Sequence, residues 1–335
     1  MTAIAVEASL AYPTGATVVL PADAPEAEWL AMRTTGIGGS DIAAICGLNA
    51  YTSPLEIYLN KAGNPAPRKD NPALSEAAEM GHELEPVVAR RFAKNTGLPV
   101  FDNPGTLRRP DLPWALVNLD RFTEEDGQPG VVELKTRSSY ALRDWQDETP
   151  VDTQVQVQWQ LAVTGWGFGY AACLIGGQRT IVHRIERDDQ MIGDLLAIGG
   201  EFWQWIQDRT PPPIDGSAAT GALLDRIHAK ANADQIVVGD AAEVEKWLSI
   251  RATAKQQIAA ADIALTEAEN HLKHMCGDAT EVHIRGERAY SWPQYSRRGG
   301  VDFAELLEAH PDLNLDDYRK PSTTYRTLRV HLENL

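Results

Sequence analysis

The residues best suited to chemistry lie in "VVELKTRSS" at 131–139. Read as a strand, Glu133 and Lys135 share one face and Leu134 points the other way. A carboxylate and an ammonium then stand side by side on an apolar platform. Two readings compete. One is a solvated ion pair on an edge strand, worth about 0–1 kcal/mol and without function. The other is a metal ligand and its catalytic neighbour. Phosphodiester hydrolysis needs an activated water and relief of negative charge on the phosphate. Carboxylates holding one or two Mg²⁺ ions supply both, paired ions standing roughly 3.5–4 Å apart. A lysine beside them orients the water or lowers its pKa. The required pattern is an acid at one strand end, then acid-x-lysine on the next strand. Asp120, Glu133 and Lys135 supply it. Acid-x-lysine alone is a weak signal, but no other lysine in the chain follows Asp or Glu by two places.

The elements around these residues predict an α/β core with a mixed sheet and flanking helices. "WALVNLDRFTEEDGQPGVVELKT" reads as a hairpin, with strands at 114–123 and 131–136 and a turn containing Asp126-Gly127. "FGYAACLIGGQRTIVHRIERD" reads as a second hairpin, turning at Gly176-Gly177. Helices are expected over "SDIAAICG", capped by Ser40 or Asp41 and ended by Gly47, and over "SPLEIYLNKAG" with Pro54 in its first turn. A longer one should run to Gly97, with Leu84, Val88 and Phe92 on one face and a kink at Pro86. "PVDTQVQVQWQLAVTG" and "DDQMIGDLLAIGGEFWQWIQD" complete the set.

Residues 1–25 read as an extended arm, 26–215 as the core, 216–240 as a linker and 241–335 as an extension with a long helix and short strands. From Val244 to Met275 apolar residues recur in alternating steps of three and four, a heptad seam weakened by alanines and Arg251. "YRTLRVHL" near the end reads as a strand.

Several pieces occur in one order: "RTTGIGGSDIAAICG", "SPLEIYLNKAG", "MGHELEPVVARRFAKNTG", "NLDRF", "VVELKT" and "QVQVQWQLAVTG". Together they resemble the YqaJ-like viral recombinase family, phage lambda exonuclease-like members of the PD-(D/E)xK nuclease superfamily. The resemblance covers about residues 28–210. It implies a PD-(D/E)xK restriction-endonuclease-like core. It implies that Asp120, Glu133 and Glu85 hold metal with the Leu134 carbonyl, that Lys135 is the catalytic lysine, and that Gln156 lies near the attacking water or DNA. Mg²⁺ is the implied cofactor, with Mn²⁺ able to substitute. "R-x-x-x-I-G-G-S-D" resembles a pocket for the 5′-phosphate of a DNA end, formed by Arg33, Gly38, Gly39 and Ser40. There glycines admit an anion to the backbone, and an arginine can grip a phosphate bidentately. An aromatic residue often stands three places before the glutamine, where this chain has Thr153.

The activity implied is a 5′-to-3′ exonuclease on linear double-stranded DNA that leaves 3′ overhangs for a single-strand annealing or single-strand-binding partner. A ring-like homo-oligomer is implied too, in a phage or prophage protein of the bacterial cytoplasm. An endonuclease with the same site and a non-catalytic DNA-binding or scaffold protein are the alternatives. The charge bears on this. The 335 residues carry 31 Lys and Arg against 47 Asp and Glu, a net −16. That argues against casual binding of polyanions and leaves room only for a local basic path. Arginines recur in the first half, at 33, 68, 90, 91, 108, 109, 121, 137 and 143. Three widely spaced cysteines suit a reducing compartment and give no zinc or disulfide pattern. No apolar run is long enough for a membrane span, and no signal peptide is expected. "GHELEP" is not a zinc-protease motif, because Pro86 occupies the place of the second histidine.

Overall fold

The computed structural model describes residues 15–67, 72–232, 234–322 and 326–330. The chain divides into two compact units, one ending at His228 and one starting at Ala229.

In chain order the first unit contains β1 (Thr17–Pro21), α1 (Glu26–Arg33), α2 (Gly39–Ile45), α3 (Pro54–Lys61) and α4 (Pro72–Thr96). Next come β2 (Val100–Asp102), β3 (Gly105–Arg109), β4 (Leu112–Val117), β5 (Arg121–Glu125) and β6 (Gln128–Arg137). Then follow α5 (Leu142–Gln146), α6 (Val151–Thr164), β7 (Phe168–Ile175), β8 (Arg179–Glu186), α7 (Asp189–Gln207) and α8 (Ala218–Ile227).

The main sheet has the order β2-β5-β6-β7-β8, with β6 and β7 parallel and the other pairs antiparallel. The parallel pair needs a crossover, and α5 and α6 provide it. Strands buried on both faces lose the alternating pattern and become continuously apolar. That is the character of β7, in which every residue of FGYAACLI is buried. One face of the sheet packs on α4, where Val88 and Phe92 meet Val132, Leu134 and Tyr170. The other packs on α6, whose Val157, Trp159 and Leu161 are fully buried because the helix also meets β3 and β4. The core is therefore a mixed sheet flanked by helices, as expected from the sequence.

Several expectations need correction. The single strand over 114–123 is two strands in two sheets. β4 pairs with β3, β5 pairs with β2 and β6, and the chain turns between them at 118–120. The described part of the extended arm is also tied into a sheet, since Thr17–Pro21 pairs with β3 as an edge strand. The linker contains α8, which packs on α3 with Leu223 fully buried and Arg226 paired to Glu56 at 2.9 Å. α4, in contrast, runs through Pro86 to Thr96, just before Gly97, as expected. Residues 326–330 form no strand, and the rest of that expected strand lies outside the described residues.

The second unit has α9 (Ala241–Cys276), the hairpin β9 (Glu281–Ile284) and β10 (Glu287–Ser291), and α10 (Phe303–Ala309). Arg285 and Gly286 turn the hairpin with positive φ, as a tight two-residue turn requires. The Tyr290 hydroxyl donates to the Leu272 carbonyl of α9 at 3.0 Å. None of the described helices is long and apolar enough to cross a membrane.

Candidate active site

β6 presents Glu133 and Lys135 toward α6 and Leu134 toward α4, as the two-residue period of a strand demands. Glu133 is 1% exposed, so it is not a solvated surface acid. Its two oxygens have different partners. Oε1 accepts from the Lys135 ammonium at 2.5 Å, and Oε2 accepts from Gln160 Nε2 at 2.6 Å. The ammonium also donates to Gln156 Oε1 at 2.9 Å. Gln156 and Gln160 are four residues apart and share a face of α6. Gln154 and Gln158 form the next face and tie the helix to the Thr149 and Glu186 carbonyls. The four glutamines thus fall into two pairs with different work.

Asp120 reaches β6 from the turn between β4 and β5. Its Oδ2 accepts from the Leu134 N–H at 2.7 Å. The β5–β6 ladder ends at Arg121 opposite Val132, so Leu134 lies beyond it. A strand residue directs N–H and C=O to the same edge, so the Leu134 carbonyl leaves the strand on the Asp120 side. Burial holds the Asp120 carboxyl well above the usual carboxylate range. The Glu133 charge adds to the rise, Lys135 and the Leu134 N–H oppose it, and the Glu85 charge raises it further. Burial disfavours the Lys135 ammonium, but the charges of Glu133 and Asp120 outweigh this and hold its pKa above the ordinary lysine value. Glu85 comes from α4, on the other face of the sheet, and pairs with His82 at 2.9 Å.

Among the described residues no three acidic, histidine or cysteine side chains already stand as a metal-ligand cluster. Each acid is instead turned to a protein donor: the Leu134 N–H, Lys135 with Gln160, and His82. The donor chemistry fits a hard divalent cation all the same. Carboxylates and a backbone carbonyl are oxygen ligands of the kind Mg²⁺ and Mn²⁺ take. The repulsion that raises the Asp120 pKa is what a bound cation would relieve.

The "IGGSD" element is built against this group. Gly36 lies so close to β4 that a Cβ would stand 2.4 Å from the Trp114 carbonyl oxygen. Ile37 can then donate to that carbonyl and accept from the Leu116 N–H. At Gly39 a Cβ would stand 3.1 Å from Gln156 Cγ. α2 thus rests directly on the glutamine that meets Lys135. Ser40 is exposed and does not cap α2. The carboxylate of Asp41 reaches back to the Gly38 N–H at 2.8 Å and takes an ion pair from Lys61 at 2.6 Å. Lys61 also donates to the Arg33 carbonyl at 2.7 Å. Arg33 closes α1 with its guanidinium over the Trp29 ring, 3.8 Å from Asp41 and 41% exposed. Gly38 therefore does not offer an open N–H; Asp41 already uses it. Thr153, where an aromatic residue was expected, is fully buried.

Three residues of this assembly escaped the sequence reading in these roles: Gln160, Asp41 and Lys61. Gln160 had a signal, its spacing of four from Gln156. Lys61 had none, because its partner lies 20 residues away.

A family model for the YqaJ-like viral recombinase domain matches residues 28–167. YqaJ of Bacillus subtilis (strain 168), an uncharacterized protein, is 35% identical over 293 residues, covering 85% of this chain and 88% of its own. The chain belongs to the YqaJ-like viral recombinase family. The candidate residues from Arg33 to Gln160 all lie inside the matched span. Among solved structures, this YqaJ-family chain is similar to the alkaline exonuclease LHK-Exo of Laribacter hongkongensis. The identity is 20%, over 55% of this chain and 94% of that one, with a TM-score of 0.46. A phage-related exonuclease from Haemophilus somnus 129PT is 12% identical over 54% of this chain and 99% of its own, with a TM-score of 0.40.

Proposed function

We propose that this chain is a metal-dependent deoxyribonuclease of recombination, with Asp120, Glu133, Glu85 and the Leu134 carbonyl as ligands of Mg²⁺. The observation that carries the reading is the Lys135 ammonium shared between Glu133 and Gln156, with Asp120 beside it on the Leu134 amide. A fully buried Glu133 that shares its face with a lysine and a carboxamide, beside a half-buried Asp120, does not suit a surface ion pair. Bound metal would supply charge relief on the phosphate and a more acidic water. The protein supplies the rest. Lys135 places a fixed positive charge beside the reacting phosphate. Gln156 holds that ammonium through its carbonyl. Arg33, Gly38, Gly39 and Ser40 form the end-binding element, with Arg33 as the phosphate grip. Since the Gly38 N–H is taken, the grip rests on the guanidinium rather than on the start of α2.

Family resemblance supports the finer features: digestion from a 5′ end, a 3′ overhang handed to an annealing or single-strand-binding protein, and a ring-like homo-oligomer that keeps an acidic protein on DNA. Linear duplex labelled separately at each terminus, compared with a covalently closed circle, tests this. Release from the 5′ ends with the circle intact is expected. Cutting of the circle would assign an endonuclease, and no Mg²⁺-dependent cleavage of either substrate would favour a binding or scaffold role.

A further inference from the structure

We infer that α9 is an antiparallel self-association helix, which pairs with α9 of a second copy of this chain. α9 has 36 residues, about 54 Å of helix. Its apolar seam keeps a seven-residue repeat from Val244 to Met275 without drift, although a straight helix would drift about 20° per heptad. Such a seam is maintained by a neighbouring helix of similar length. The second unit supplies none among its described residues, since α10 has seven. The seam is open: Trp247 is 56% exposed, Ile258 61% and Leu265 60%.

The seam itself selects the occupant. One row carries Val244, Arg251, Ile258, Leu265 and Leu272, and the other carries Ala254, Ala261 and Ala268 between Trp247 and Met275. In a parallel pair each row meets itself. Alanine would then face alanine in three alternate layers, and the two Arg251 side chains would meet. In an antiparallel pair each row meets the other. Ile258 then faces Ala261 of the second copy, Leu265 faces Ala254, and Arg251 faces Ala268. These three central layers each join a large side chain to a small one, which suits close packing, while the two outer layers pair Leu272 with Trp247 and Val244 with Met275. The flanking charges agree. Lys255 then lies across from Asp262 of the second copy, and the pair occurs twice by symmetry. In a parallel pair Lys255 would lie beside Ile250, with no opposite charge. The contact is two-fold and independent of any ring formed through the core.

The test uses the full chain in sedimentation equilibrium. Wild type should have twice the mass of Leu265→Asp, whose two symmetric losses weaken association roughly a hundredfold or more. Lys255→Asp and Asp262→Lys should each weaken it about tenfold, and combining them should restore it. These positions are exposed, so circular dichroism and nuclease activity per chain confirm that each variant's core is folded. Equal mass for wild type and Leu265→Asp overturns the proposal. So does halving by Leu265→Asp with no effect of either charge reversal, since that pattern fits a parallel pair or another contact.

Discussion

Gln160 donates to Oε2 of Glu133 while Lys135 holds Oε1, so both oxygens of this buried acid have a protein donor. Gln160 is 1% exposed, and its own Oε1 has no partner among the described residues. The orientation follows from chemistry, because a carboxamide can offer only its N–H to a carboxylate. Gln160 is thus a positioning residue. Gln160→Met keeps the volume and removes the donor. Manganese affinity, read from the free-ion signal in electron paramagnetic resonance, should fall about 10–100-fold. In a Glu133→Ala background the same change should do nothing further. Equal losses in both backgrounds would show that Gln160 merely supports the fold.

The contact between Gly39 and Gln156 makes a second prediction. Gly39→Ala should push Gln156 off the Lys135 ammonium and lower kcat by about tenfold, at a stability cost of about 1–3 kcal/mol. Single-turnover cleavage on pre-bound DNA checks it, because an effect on end binding alone would leave that rate unchanged.

Asp120 sets a pH dependence. Its folded-state pKa is raised, so its contribution to stability is greatest below the ordinary carboxylate range and is lost as pH rises through the raised value. Above the ordinary carboxylate range the carboxyl becomes a burden on the metal-free fold. Asp120→Asn should therefore melt higher than wild type at pH 7 without metal, and the gain should vanish below about pH 4. Thermal melts across that range, in the presence of a chelator, decide it. A variant less stable at neutral pH would contradict the charge assignment.

The buried pair of Lys61 and Asp41 ties α3 to the start of α2, each side chain being 6% exposed. Burial lowers the Lys61 pKa, and Asp41 opposes that shift. Lys61→Met strands a buried carboxylate and should cost about 3–5 kcal/mol in urea unfolding. Adding Asp41→Leu should recover part of the loss. No recovery would place the effect in packing rather than charge.

Much of this was legible in the residues. β7 and β8 read clearly because a long apolar run met a Gly176-Gly177 turn, and α7 because its apolar face is regular. Other parts were not. The pattern of 114–123 continues across Asn118 and Asp120, so nothing local marks where the chain leaves one sheet for the other. α8 is preceded by the Pro and Gly residues that signal a linker, and only its contact with α3 makes it a packed helix. Residues 17–21 form an edge strand, whose single pairing leaves little pattern. Among the glutamines, residue type gave no ranking. The spacing of four from Gln156 set Gln160 apart from Gln154, but what lies across from each is supplied by the fold alone.

The central claim is that Asp120 and Glu133 hold the cation that makes a DNA phosphate attackable. The most direct measurement is Mg²⁺-dependent hydrolysis of linear duplex by wild type, Asp120→Asn and Glu133→Gln, with folding verified for each. Wild type should cleave and lose activity in chelator, and each variant should fall by at least about 10³-fold. Either variant cleaving at the wild-type rate while folded would contradict the account.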